Sequence, residues 1–522
     1  MNPRVWSMLA VLLPALMTLL PSFTTAGQAY TPSAPVIYST PKNEVPFPDY
    51  QIRVNDQEVF CHSAQVYDSR FTEGTLMGSS EITYSTVGFG YFDIDGKVKV
   101  SVKVNRAITS AVIRPLSRGI KPTVKDNMIE FFVDKPGALT IEPDGSEKRV
   151  LHLFVNPKEE SKPDPKDPKV IYFGPGEHVV NTIRLKSDQT LYVDGGAVVY
   201  FDVFKDDPVY REEYRNKKTV TLKRYDHGIE ALNATNIKIK GRGILDFNRV
   251  LTKMGRKNPI HINGCTHVEI EGVILRGANC WHATIYRSKD VEINNLKELA
   301  AGYNTDGINI VLSQDVHIHD CFMRQRDDGI IMKSMDTGNK DAFIKEIPQP
   351  RTSTSKVLVE NCVLWSDWGY ALGVTYETRM PVNDIEFRNC DIIHATHATK
   401  GQGVLGILVA DADVVSNVRF NNITIERSLK PLIKLDQKIT EWTVNPDLGE
   451  IKDIHFNAIT YLEGNPQPVI FTGFGSKGGI HDIDLNGLRF LGKEIHSFND
   501  WTFEMNDKAK DIYFNTTAKK QQ

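Results

Sequence analysis

Several things are scarce in this sequence, and each scarcity narrows its reading. The 522 residues carry a formal net charge of only −3, so there is no basic field to collect nucleic acid and no acid-rich tail. A local Lys/Arg cluster in a cleft is compatible with that total, so an anionic polymer stays open as a partner. Apolar runs are short: the one from Trp6 to about Leu20 follows Arg4 at the extreme N-terminus and gives way to Ser22, Thr24, Thr25 and Ala26. That pattern predicts a cleaved signal peptide over residues 1–26 and a protein that is secreted or periplasmic, with no membrane attachment after cleavage. No cysteine lies near the cleavage region to carry a lipid. No nucleophile elbow supports Ser-His-Asp or reactive-Cys chemistry.

What is present is a globular chain, 41% hydrophobic and 24% charged, long enough for two or more domains. A short pattern, apolar-x-apolar-x-(Asn/Gly/small)-apolar, recurs through more than half of it. Examples are Val268 to Val273, Val291 to Leu296, Val418 to Ile423, Ile454 to Ile459 and Ile483 to Leu488, with earlier copies at Leu191 to Gly195 and Ile237 to Gly241. Period-two alternation followed by a turn residue predicts short strands. The copies are about 23 to 46 residues apart, which suits stacked three-strand coils of a parallel β-helix. A leucine consensus and blade-spaced Trp-Asp dipeptides are both missing. Cys321, Cys362 and Cys390 close equivalent copies of the pattern, so the six cysteines are expected as free buried thiols.

Residues 27–155 differ, with alternation such as Phe92 to Val102 and turns at Asp95-Gly96 and Asp144-Gly145. They predict a small β-sandwich, expected to cap the open first coil. A linker over 156–169, rich in Pro, Lys and Asp, leads to the β-helix at 170–522.

The chemistry concentrates at Asn304-Thr305-Asp306-Gly307-Ile308 and, 21 to 22 residues later, at Arg326-Asp327-Asp328-Gly329-Ile330. If that interval is one coil, three carboxylates meet on one surface, where they repel one another and seldom help a fold. Aligning the coils on their glycines stacks Asp306 on Asp328, with His282 and Trp368 expected at the two flanks of the column. Crowding raises at least one pKa and retains a proton for acid catalysis. Trp281, Tyr303, Trp365, Trp368, Tyr370 and Tyr376 supply aromatic faces for a sugar. The stretch Met335 to Lys356 exceeds a normal coil by about sixteen residues and is expected to wall the cleft.

On Asn-Cys-Trp-His at 279–282, Asn-Thr-Asp-Gly at 304–307 and Asp-Asp-Gly-Ile-Ile-Met-Lys at 327–333, the chain resembles glycoside hydrolase family 28, the polygalacturonases. It is similar more loosely to the clan-mate dextranase and isopullulanase family 49. The resemblance implies an all-β fold, a right-handed parallel β-helix here preceded by the small β-sandwich, and inverting hydrolysis of a polysaccharide or oligosaccharide without a cofactor. Asp327 then resembles the general acid, with Asp306 and Asp328 as the pair that activates water. His282, Trp281, Lys333, Trp368, Tyr370, Arg379 and Lys434 are the substrate-binding candidates. The family's Gly-His-Gly signature is absent and its Arg-Ile-Lys is met only by Leu432-Ile433-Lys434, so the substrate site is expected to be altered. Lys434 and Arg379 are then the candidate cations for an acidic or sulfated sugar. The alternatives are a dextranase-like hydrolase of neutral α-glucan, a calcium-dependent lyase, and a non-catalytic glycan-binding β-helix. His317 and His319 alternate outward on a strand with no third ligand in view, so no metal site is expected.

Overall fold

The computed structural model describes residues 34–67, 84–207, 210–216, 218–252, 255–278, 280–302, 304–335, 352–475 and 478–515. The expected signal segment at 1–26 lies outside them. Among the described residues the fold is nearly all β, with a single short α-helix, Asn248–Thr252, and 3-10 turns at Leu116–Arg118 and Phe498–Asp500.

Two five-stranded sheets form the N-terminal sandwich, whose strands run from Tyr50–Val54 to Leu151–Pro157. Strand Val98–Val104 alternates strictly, burying Val98, Val100, Val102 and Val104 against the facing sheet, as a half-buried antiparallel strand must. From Val170–Phe173 onward the chain coils into a parallel β-helix. One sheet contains eleven strands, from Ile183–Leu185 to Phe503–Met505, and a continuous 22-stranded sheet wraps the remaining faces.

Register explains the repeats. Ile260, Ala283, Ile308, Ile330, Leu372, Leu405, Ile433 and Val469 are successive partners, all fully buried. Their side chains fill the bore of the helix at the interstrand spacing of about 4.8 Å. Phe387, Phe420 and Phe456 stack in the same way with centroids 4.9 and 4.8 Å apart. Where Asn or Asp closes the sequence pattern, its φ is near +55°, as at Asn295, Asp320, Asn361, Asn389 and Asn422. Left-handed backbone is what a tight corner needs, and Asn and Asp tolerate it best after glycine. These turn residues also bond along the axis, Asn422 Nδ2 donating to Asn389 Oδ1 at 2.9 Å. All six cysteines are free and buried.

Among the described residues no sandwich strand extends the sheet of the first coil. The sandwich lies along the flank of the coils: Val66, Phe89, Tyr91 and Phe154 pack in one cluster with Val198, Ile244, Ile274, Leu299, Phe322 and Trp365. The physical reason is that the outward face of these coils is apolar, and burying that long stripe removes more surface from water than covering one end. Buried ion pairs pin the contact, with Arg276 bridging Glu44 and Asp246, and Arg114 joining Glu142 to Glu426 and Glu463.

Candidate active site

Hydrogen-bond register brings the acids together. Ile308 pairs with Ile330 and Ile330 with Leu372, and the ladder continues upstream through the turns. The His282 amide donates to the Asp306 carbonyl at 2.8 Å, that of Gly307 to Asp328 at 2.9 Å, and that of Gly329 to Tyr370 at 2.7 Å. Trp281, Asp306, Asp328 and Tyr370 therefore occupy one column at the edge of the eleven-stranded sheet. Asp327 stands one residue before that column. Glycine after Asp306 and after Asp328 is a packing requirement, since a Cβ on Gly307 runs into the Gly329 carbonyl and one on Gly329 into the Ala371 carbonyl.

Asp306 and Asp328 are buried, 3% and 2% exposed, while Asp327 is half-buried. Asp328 is held at both oxygens: the Tyr370 amide donates to Oδ1 at 2.8 Å and the Thr375 hydroxyl to Oδ2 at 2.9 Å. Asp327 accepts from the Asp328 amide at 3.0 Å. Lys333 Nζ donates to Thr375 Oγ1 at 3.3 Å and pairs with Glu377 Oε2 at 3.2 Å, with its ammonium 5.1 Å from the Trp281 ring and 5.4 Å from that of Tyr376.

Burial raises all three carboxyls, and repulsion from Asp327 adds to it at Asp306 and Asp328. Asp306 stands well above the ordinary range through burial and then the charge of Asp327; Asp328 is pushed up to about 6 by the same two causes. Asp327 is raised by burial against the opposing pull of Arg326 and Lys333. Burial pulls Lys333 down, but Glu377, Asp306 and Asp328 raise it further, so it stays cationic. The cluster thus combines a retained proton with a fixed positive charge, the equipment for acid–base work near neutral pH.

Several expected positions change. His282 and Trp368 do not flank the column, because the turns are longer than the glycine alignment allows. The fully buried His282 bonds Glu298 Oε2 through Nδ1 at 2.7 Å. Trp368 lies two residues before Tyr370, 3.6 Å from the His397 ring and 6.1 Å from Tyr67 of the sandwich. Tyr370 enters the column by its amide only; its ring is buried with Ile331 and Leu408. Trp365 is core, packed on His152 and His394 at the sandwich contact. Arg379 is drawn to Asp411 at 3.3 Å, and Lys434 to Asp436 at 3.2 Å and the Lys400 carbonyl. Tyr303 and residues 336–351 of the wall expected over Met335 to Lys356 fall outside the described residues. Glu292 supplies the third donor that the sequence did not place beside His317 and His319. Their ligand atoms lie within 4.8 Å of one another on a different sheet from the acids, paired as His319–Glu292 at 3.1 Å and His317–Glu360 at 2.9 Å.

Thr375, Glu377, Lys430 and Tyr67 were not singled out. Thr375 and Glu377 reach the site because the strand Leu372–Thr378 slips register between Met332 and Ser334, setting Tyr376 at φ +59°. A bulge of this kind re-aims side chains at a functional edge, and no local motif announces it. Lys430 is fully buried, with Nζ on Ser366 Oγ, the Trp368 carbonyl at 2.8 Å and the Gly369 carbonyl. A lysine at a position reading as core was the available signal.

Comparison with known proteins bears on the family and the fold. The sequence model for glycosyl hydrolases family 28 matches residues 184–496. An exopolygalacturonase of Zea mays is 25% identical over 305 residues, covering 54% of this chain and 65% of its own. A second from the same plant is 26% identical over 273 residues, covering 48% and 62%. The chain therefore spans less than two thirds of either relative. Among solved structures, Dex49A from Penicillium minioluteum has a TM-score of 0.61 at 14% identity, over 92% of this chain and 96% of that one, a likeness of fold.

Proposed function

The chain belongs to glycosyl hydrolases family 28, and from that membership we propose that it hydrolyses glycosidic bonds of a polysaccharide or oligosaccharide with inversion. The observation that carries the reading is the single edge on which Asp306, Asp327 and Asp328 meet, two of them buried and all three raised. Asp327 is the general acid. It is the least enclosed of the three and is tied only to the neighbouring amide, so its carboxyl is free to give a proton to the leaving oxygen. Asp328, fixed through both oxygens, and Asp306 hold a water and accept its proton as the oxygen attacks the anomeric carbon from the opposite face. Lys333 keeps the cluster from taking up a second proton.

The altered substrate site is part of this proposal. Lys434 and Arg379, the candidate cations for a uronate, are both engaged by carboxylates of this chain. That favours the second reading, a neutral glycan of the α-glucan kind. Export through the signal over residues 1–26 belongs to the same proposal and is checked by the mass of the mature N-terminus.

The test is incubation with pectins, α-glucans and sulfated galactans, with the anomer of the first product resolved by NMR. Inverted product is expected, abolished in Asp327→Asn at unchanged circular dichroism. Retained configuration, an unsaturated product, or full turnover by Asp327→Asn sinks the proposal.

A further inference from the structure

The outward face of the eleven-stranded sheet has a second column beside the acids. His261, Thr284, Asn309, Ile331, Gly373 and Gly406 are successive partners in it, and they alternate with the inward Ile260 to Leu405 column. On the C-terminal side of the acids this floor is glycine. On the N-terminal side it is polar. Asn309, 0% exposed, makes no hydrogen bond at either amide atom; the Thr284 hydroxyl, on a residue 3% exposed, makes none either. Asn263, two residues beyond His261 and 1% exposed, has both amide atoms unpaired.

A buried polar atom without a partner keeps the cost of its lost hydration. Five such atoms on three adjacent strands, within one or two coils of Asp306, are a standing cost that the free fold does not recover. They are both donors and acceptors, and all are neutral. They are closed off to the same degree as Asp306 and Asp328.

We propose that Asn263, Thr284 and Asn309 form a subsite for an uncharged, hydroxyl-rich sugar residue next to the bond that is cut, on the Asp306 side of the acids. A sugar hydroxyl both donates and accepts, which is what amides and a hydroxyl can satisfy together. A uronate carboxylate offers no donor and finds no cation among these three side chains. The inference rests on the hydrolase reading and deepens it by naming the class of the adjoining sugar.

Asp327→Asn protein, which binds without turnover, is titrated with isomaltotriose, β-1,4-galactotriose and trigalacturonate while thermal unfolding is followed. A neutral trisaccharide is expected to raise the unfolding midpoint and trigalacturonate to leave it. Adding Thr284→Val or Asn309→Leu should weaken the neutral ligand about 5- to 20-fold, the loss of one net hydrogen bond or slightly more. The same substitutions should raise the midpoint of the ligand-free protein, because apolar groups replace unpaired polar ones. A merely structural role predicts the opposite sign. Unchanged affinity in the added variants, a lowered ligand-free midpoint, or a response to trigalacturonate alone overturns the subsite. Full turnover by Asp327→Asn instead overturns the hydrolase reading, and the two failures are distinct.

Discussion

The Tyr370 amide donates to Asp328 Oδ1 at 2.8 Å, so a carboxylate of one coil is positioned by the turn of the next. Thr375, brought in by the bulge, holds the other oxygen at 2.9 Å, and Lys333 bonds that same hydroxyl. The orientation of Asp328 is thus set by two later segments of chain. Catalysis by fixed groups depends on such support.

Thr375→Val removes one of the two bonds that favour the ionised form of Asp328. Its pKa should rise further, moving the acid limb of the pH–rate profile upward by about one unit. The expected fall in kcat is about 10- to 100-fold, checked by pH-resolved initial rates. A fall with an unmoved profile removes Thr375 from this role.

Asp328 also makes stability depend on pH. Its carboxyl is raised to about 6 in the fold by burial and then Asp327, against about 3.9 in the unfolded chain. Between those values the folded state keeps a proton that the unfolded state has released, so stability falls as pH rises from about 4 to 6. Asp328→Asn should flatten that slope and raise the unfolding midpoint at pH 7 by a few degrees, measured by calorimetry at both ends of the window.

Lys430 works in the opposite sense. Burial pulls its pKa down to about 7 against the counter-pull of Asp328, Asp367 and Asp327, and an unfolded lysine titrates near 10.4. The unfolded state binds the extra proton between those values, so this residue adds stability as pH rises from about 7 to 10. Lys430→Met should lose that gain and leave Ser366, Trp368 and Gly369 without their donor, costing about 1–3 kcal/mol at pH 9. Chemical denaturation at pH 7 and 9 reads both effects.

Much of this was legible in the sequence, and for a physical reason. Strand and corner recur at every coil, so Val268 to Val273 and its copies state the β-helix many times over, and the Asn and Asp corners state the turns. Asp306, Asp327 and Asp328 were legible because three acids at one coil's spacing have no structural use. Turn length was not legible: aligning on glycines put His282 and Trp368 beside the acids, whereas Trp281 and Tyr370 hold those places. Contacts between remote segments, such as Tyr67 with Trp368 or Lys430 with Gly369, depend on how the coils and the sandwich meet, which no local pattern encodes.

The sandwich contact gives the strongest stability prediction. Arg114 is fully buried and joins Glu142 of its own domain, at 3.0 Å, to Glu426 and to Glu463, the last at 2.7 Å. Such a network is weak evidence for net stability, but removing one member leaves buried carboxylates uncompensated, at about 3–5 kcal/mol. Burial already pushes Glu426 up to about 7 with the guanidinium present; without it the carboxyl rises further. A buried acid with a raised folded pKa is tolerated while protonated and destabilises as pH climbs past its unfolded value near 4.3. Arg114→Met should therefore cost little at pH 4.5 and most at pH 8, and Arg114→Met/Glu426→Gln should recover part of the loss non-additively. Calorimetry of the two variants at both pH values decides it: a deficit independent of pH means that lost packing, and not stranded charge, is what Arg114 prevents.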